Sequence, residues 1–395
     1  MNNSVTIKRV ECKKELLRFI DFYYDLYRES QYAVPFLRFD EISTLSKRTN
    51  PSFEFCEAEY YLAYKNGKLV GRVAAIINHR ANEQWGKKQV RFGWLDFVDD
   101  IDVSKALLQQ VETYGKAHGM TEMVGPLGFT DMDREGMLLE GFDRLSTAYV
   151  IYNYPYYPQH IEQMDGYVKD NDWMEYRIKV PEVTPEKFAK TAQMIERRYD
   201  LHAHRFTYAQ LVKQGMGHRL FEILNETYKH LYDFQQLSER QITQLIDDYI
   251  KKADLNLVVG VIDASAEDVS EQEKLQLGGK LVGFGVSFPS FSKALQKTKD
   301  GKLFPWGWWH LLKVLKGHKT DTVDLLLIGV LPDYRIKGAN AIIFSHLIEE
   351  YRRYGFKWAE AMPMMEKNTQ VRSQWQYLES EVHRLRRCYK KELKS

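Results

Sequence analysis

The chain has 395 residues, 44% of them hydrophobic, and a formal charge of +2. That length exceeds one ordinary core and predicts two domains. The near-neutral balance excludes a surface built throughout to grip nucleic acid, and no nucleic-acid partner is expected. Cys12, Cys56 and Cys388 are far apart and odd in number, so they form neither a disulfide framework nor a CxxC site. No HExxH or clustered Cys/His pattern occurs, and no metal is expected.

The first residues, MNNSVTIKRVECKKELLRF, contain no signal-peptide core. No window approaches the roughly 20 apolar residues of a membrane span. The expected setting is the cytoplasm.

Along the chain, EYYLAYK and NGKLVGRVAAI (from Asn66) predict a hairpin. VRFGWLDFV follows as a strand, then KALLQQVETYGKAHG as a helix closed by Gly119, then the strand TEMVGPL. DREGMLLEGFD (Asp133 to Asp143) and YNYPYYP (Tyr152 to Pro158) come next; in a two-lobed arrangement they either face the cleft and the acceptor or, as for most of the tyrosines, pack in the core. VPEVTP, near Val180 to Pro185, interrupts the pattern and divides the chain into 1–182 and 183–395.

The second part repeats the order of the first. LNLVVGVID and GGKLVGFGVSF (from Gly278) predict a hairpin sharing GKLVG with the earlier one. The strand VDLLLIGV, the helix NAIIFSHLIEEYRRYG closed by Gly355, and the strand KWAEAMPM follow. Duplication explains both the shared letters and the shared order.

An insertion, Ser290 to Lys319, interrupts the second copy. In it Trp308, Leu311, Leu312 and Leu315 fall on one helical face, and seven lysines surround them. Such a face either packs between the lobes, lines an acyl channel, or lies on an anionic bilayer at 303–319.

The strand-to-helix junction GVLPDYRIKGANAI (from Gly329) is built for an anion. A helix N-terminus presents its amides and the positive end of its dipole. Arg335 and Lys337 add charge, and Gly338 admits close approach. Walker and Rossmann patterns are absent.

VLPDYRIKGANA resembles the acyl-CoA-binding motif of the GNAT (Gcn5-related) N-acyltransferases, R/Q-x-x-G-x-G/A after a strand. Asn340 stands where Gly or Ala is usual. The likeness reaches EKN (Glu366 to Asn368) and RRCYKKEL (Arg386 to Leu393). The layout of both halves is similar to a two-lobed, tandem branch of that family.

The resemblance implies an α/β fold of two tandem GNAT-like lobes, each a mixed, mostly antiparallel twisted sheet flanked by helices. It implies acyl-CoA as co-substrate, acetyl or long-chain, held by Ile328, Gly329, Val330, Arg335, Ile336, Lys337, Gly338, Ala339, Asn340, Ala341 and Asn368. The first lobe's junction, DFVDDIDVSK, carries Asp96, Asp99, Asp100 and Asp102 and no Gly. Its carboxylates repel a diphosphate, which leaves that lobe a supporting or acceptor-binding part.

By the same resemblance Asp324 or Glu366 takes the amine proton. Trp375 stands where the family's acid Tyr is expected, and Tyr377 is two residues further. The implied acceptor is a small-molecule or lipid amine, a sphingoid base among them, reached from the cytoplasm or the inner face of the membrane. The rivals are a non-catalytic degenerate pair and a Fem-like aminoacyltransferase.

Overall fold

The computed structural model describes residues 4–317, 319–367, 375 and 378–394. Its strands, in chain order, are β1 (Thr6–Arg9), β2 (Cys56–Lys65), β3 (Lys68–Asn78), β4 (Gln89–Phe97), β5 (Glu122–Gly125), β6 (Met137–Glu140) and β7 (Val168–Lys179). Then come β8 (Leu201–Arg205), β9 (Val258–Asp263), β10 (Lys280–Pro289), β11 (Thr322–Val330), β12 (Trp358–Ala361), β13 (Met364–Met365) and β14 (Ser380–Glu392). They form one sheet in the order β1-β2-β3-β4-β5-β14-β7-β12-β11-β10-β9-β8, with β6 on β14 and β13 on β7.

The order carries the duplication. β2-β3-β4 and β9-β10-β11 are antiparallel meanders. β4 pairs with β5, and β11 with β12, in parallel, as a strand–helix–strand crossover requires. The crossover helices are Ile101–Ala117 and Asn340–Arg353. Gly71 of the first GKLVG faces Phe97, and Gly283 of the second faces Val330. Phe97 and Val330 therefore hold equivalent places.

The closing strands are exchanged. β7, from the first half, pairs with β12 of the second, while β14, from the end of the chain, pairs with β5 of the first. β7 and β14 then run antiparallel to each other through the middle of the sheet. Arg384 and Arg386 on β14 are buried against Glu175 on β7, the Arg384 Nε–Glu175 Oε2 distance being 2.8 Å. Arg384 also reaches Glu360 at 3.0 Å. The pairing satisfies charges that would be prohibitive alone.

One large apolar cluster fills the first half around β2–β4 and the helices Lys13–Leu26 and Ile101–Ala117. Two clusters line the faces of the second half's sheet. One packs against Asn340–Arg353, the other against Met216–Tyr228 and Glu239–Asp248. Among the described residues no helix is long and apolar enough to cross a membrane.

Candidate active site

β11 and β12 pair only from Thr322–Trp358 to Leu325–Ala361. β11 runs on to Val330 held by β10 alone, so the two parallel strands part after Leu325. Leu331 N–H bonds back to Val282 O on β10. Successive residues of a strand point their polar groups to opposite sides, so Val330 and Ile328 turn theirs into the opening. The Tyr228 hydroxyl donates to Ile328 O at 3.1 Å, and Arg335 donates to Val330 O at 3.2 Å, from that open side.

In the first half the same opening is closed. The Tyr157 hydroxyl accepts from Phe97 N–H at 3.1 Å, and the Tyr156 hydroxyl donates to Phe97 O at 2.7 Å. Tyr157 also reaches Asp96 and Tyr27. The remaining cavity is about 30 Å³, room for roughly one or two waters. Ahead of the helix Ile101–Ala117, the Asp100 carboxylate caps the amide of Asp102 and pairs with Lys65 at 2.6 Å. A carboxylate of the chain itself thus occupies the place a diphosphate would need.

Past Val330 the chain makes the short helix Pro332–Lys337 before Gly338, whose φ is +89°. A Cβ there would stand 2.7 Å from Ile195 Cδ1, so the turn favours glycine on two counts. The amides of Gly338 and Ala339 bond to Arg335 and Tyr334 carbonyls, and that of Ala341 to Gly338. The row of free amides expected from the sequence is thus partly used by the turn itself. Arg335 and Ile336 are exposed. Lys337 Nζ lies 4.3 Å from the Tyr334 ring centroid, and Tyr334 donates to Asp263 at 2.7 Å. Asn340 begins the long helix.

Asp324 is fully buried on β11. Burial, and then the charge of Glu360, push its proton affinity up to about 8 against the opposing effects of Ser290 and Arg384. It is not the solvated turn residue that DTVD alone could suggest. Glu366 lies elsewhere, beyond β13. Its amide bonds to Asp172 and its carboxylate pairs with Lys169 at 2.5 Å, both on β7. Trp375 packs edge-on against Phe344. Asn368 and Tyr377 lie outside the described residues.

Sequence reasoning missed Tyr228 and Asp131. Met132 packs against the same apolar cluster as Tyr228, Leu326 and Leu327, and the charge of Asp131 is felt at Tyr228. Burial first holds Asp131 and Glu135 well above the usual carboxylate range, and neighbouring carboxylates add to it. DREGMLLEGFD begins two residues after Asp131, and nothing in the sequence distinguishes Tyr228 from the other tyrosines.

A helix and strand repeated twice, with parallel strands that part beside a glycine turn, is an arrangement with known counterparts. A tandem GNAT protein from the clavulanic acid biosynthesis pathway superposes with a TM-score of 0.55 at 11% identity, covering 99% of each chain. The chain has the tandem GNAT fold. A GCN5-related glucosamine N-acetyltransferase region of a fungal multi-domain β-N-acetylglucosaminidase superposes with a TM-score of 0.54, at 11% identity over 99% of this chain and 38% of that one. In sequence, protein YghO of Escherichia coli (strain K12) is 26% identical over 389 residues, 96% of this chain and 94% of that protein. A bacterial ceramide synthase of Caulobacter vibrioides (strain NA1000 / CB15N) is 26% identical over 376 residues, 90% and 91% of the two. No protein-family model matches.

Proposed function

We propose that the protein is an acyl-CoA-dependent N-acyltransferase acting on a lipid amine, with a long-chain donor. The observation carrying this reading is the asymmetry of the two openings. The second lobe keeps the parted strand accessible beside Arg335, Lys337 and Gly338, while in the first lobe tyrosines and Asp100 fill the same positions. Residues 183–395 thus hold the acyl-CoA, and 1–182 support the acceptor. The ceramide synthase likeness, spread over nine-tenths of both chains, favours a sphingoid-type amine over a small metabolite.

In the reaction the amine nitrogen attacks the thioester carbonyl carbon. Amides of Ile328 and Val330 stand on the side where the oxyanion develops. The new C–N bond forms, the C–S bond breaks, the ammonium proton passes to Asp324, and the CoA thiolate leaves and is protonated by solvent water. A group with affinity near pH 8 is a strong enough base for this and still regains its ionised form.

The exposed residues Phe304, Trp306, Trp308 and Trp309, with the lysines around them, would set the enzyme on an anionic bilayer where such an acceptor resides. The test is release of free CoA thiol from acetyl-CoA and palmitoyl-CoA with sphinganine as acceptor. Turnover faster with palmitoyl-CoA is expected. Absence of turnover with either donor, despite CoA binding by calorimetry, would leave a binding protein.

A further inference from the structure

The parted strands leave an opening with two walls. One is residues 326–330 of β11, and the other is the run from β12 into β13, whose Met365 pairs with Trp173 of β7. Residues 130–136 of the first lobe reach both. Met132 packs against the same apolar cluster as Leu326, Leu327 and Tyr228, on the first wall. Four residues on, a Cβ at Gly136 would stand 3.4 Å from the Trp173 ring. The charge of Glu135 is felt at Cys388, which shares a cluster with Trp173 and Met365 on the second wall. The segment thus crosses the opening from wall to wall, and it carries Asp131 and Glu135 with it.

The charged side chains of this segment are satisfied unequally. Asp133 turns back on its own loop, accepting from the Thr130 amide at 3.0 Å, and Arg134 pairs with Glu41. Arg91 is the cation whose charge reaches both Asp131 and Glu135, but it is committed elsewhere. It pairs with Asp233 at 2.8 Å and donates to the carbonyls of Gly128 and Phe129. Asp131 is left with the backbone amide of Gln235. Glu135 Oε2 is shut off from solvent with no hydrogen-bond partner, and Asp131 is the strongest charge acting on Glu135. A cation between these two carboxylates would supply the partner that the protein does not.

We infer that Asp131 and Glu135 are the seat of the acceptor's ammonium group, so that the first lobe completes the site of the second. The seat lies between the walls of the opening, close to Tyr228, which feels the charge of Asp131 and bonds Ile328 O at 3.1 Å. This rests on the N-acyltransferase reading for the word acceptor, but binding of an ammonium at the seat is measurable without acyl-CoA.

The experiment is calorimetric titration of the full chain at pH 7 with octylamine, which is charged, and with 1-octanol, which is not. Octylamine is expected to bind about tenfold more tightly, the scale of one hydrogen bond to a charged group. Burial keeps both carboxyl groups protonated well above their usual range, so the arriving ammonium should displace about one proton. Heats measured in phosphate and in Tris buffer read that release, which a merely structural pair of carboxyl groups would not give. In Asp131→Asn with Glu135→Gln the preference should fall toward one and the release should vanish. Among the described residues neither carboxylate forms an ion pair, so the two amides break none, and thermal unfolding verifies that the variant is folded. Equal affinities for amine and alcohol, no proton release in the unaltered protein, or a preference unchanged in the folded variant overturn the inference. Should the variant not fold, the proton release of the unaltered protein decides. Preference and release in a protein that transfers no acyl group from palmitoyl-CoA support the seat and remove the enzymatic reading instead.

Discussion

Asp324 and Glu360 are register partners on the parallel strands β11 and β12, and both are largely shut off from solvent. Two adjacent carboxylates cannot both ionise cheaply there, and Arg384 and His383 attend Glu360 rather than Asp324. Asp324 is thus the member that keeps its proton, with affinity raised from 3.8 to about 8. The folded chain then binds a proton between about pH 4 and 8 that the unfolded chain has released. Stability from this group is complete below pH 4 and is lost as pH rises through 8, in total on the order of several kcal/mol. Asp324→Asn should flatten the fall in melting temperature over that range and be more stable than the unaltered protein at pH 8.5. In acyl transfer, kcat/KM should climb toward pH 8 in the unaltered protein, and the Asn variant should lose at least a hundredfold.

Arg335 is exposed and Lys337 stands over Tyr334, both at the glycine turn. Replacing both with Ala removes charge without disturbing a core. Affinity for CoA should fall about tenfold or more at low salt, and by less at 1 M salt, where screening has already weakened the attraction. Gly338→Glu should abolish binding, although its φ of +89° and the approach of Ile195 add strain that the Arg335/Lys337 variant avoids. Unchanged CoA affinity in the double variant would move the cofactor away from this turn.

The paired hairpins, the crossover helices and the glycine turn were legible because each rests on local signals: GKLVG twice, glycines at helix ends, and Arg335-x-x-Gly338. The exchange of β7 and β14 was not legible, because a strand's partner is fixed by contacts that no local pattern encodes. RRCYKKEL was recognised as a last strand, yet its burial of Arg384 and Arg386 depends on Glu175, some two hundred residues earlier. The helix at Gly307–Leu315 was also predicted, with Trp308, Leu311, Leu312 and Leu315 as its apolar face. In the fold the buried positions are Gly307 and Val314, because periodicity counts apolar residues without knowing which side meets the protein. Tyr228 carries no sequence signal, being an ordinary residue made special by its neighbours.

Tyr157 closes the first lobe's opening by bonding Phe97 N–H, Asp96 and Tyr27. Tyr157→Phe should cost about 1–3 kcal/mol, the scale of leaving a buried amide unpaired. CoA affinity should not change, because that opening holds no cofactor. Urea unfolding and CoA titration on the same variant verify both halves, and a loss of CoA affinity would return the first lobe to candidacy.

Glu175 is held down to about 2 by Arg384 and Arg386 despite the cost of burying it. Its contribution is present above its unfolded value near 4.5 and is lost as pH falls toward 2. Glu175→Gln leaves two buried guanidiniums short of charge, at a cost of about 3–5 kcal/mol. Since Arg384 and Arg386 sit on the strand that crosses into the other lobe, both lobes should melt together at the lower temperature. Two separated transitions would mean that the exchange does not couple them.

The aromatic end of the insertion stands out from a well-anchored base. Gln296 bonds the carbonyls of Gln31 and Ala33, Arg38 N–H bonds Gly301 O, and Arg28 pairs with Asp300. Beyond that anchor Phe304 is 77% and Trp306 70% exposed, and Trp308 and Trp309 are each above 40%. Residues 291–319 hold seven lysines and one aspartate, so a chain of net charge +2 concentrates a larger positive charge here. Tryptophan suits the headgroup region of a bilayer and lysine its anionic surface, at roughly 1 kcal/mol per lysine. The protein should therefore sediment with phosphatidylglycerol vesicles and not with phosphatidylcholine vesicles, and should be released by salt. Trp306→Ser with Trp309→Ser should lower vesicle binding at least tenfold without changing the melting temperature, because neither side chain is buried. Binding that ignores lipid charge, or survives both substitutions, would remove the bilayer as the partner of this surface. Self-association that depends on the same tryptophans would assign it to a second copy of the chain.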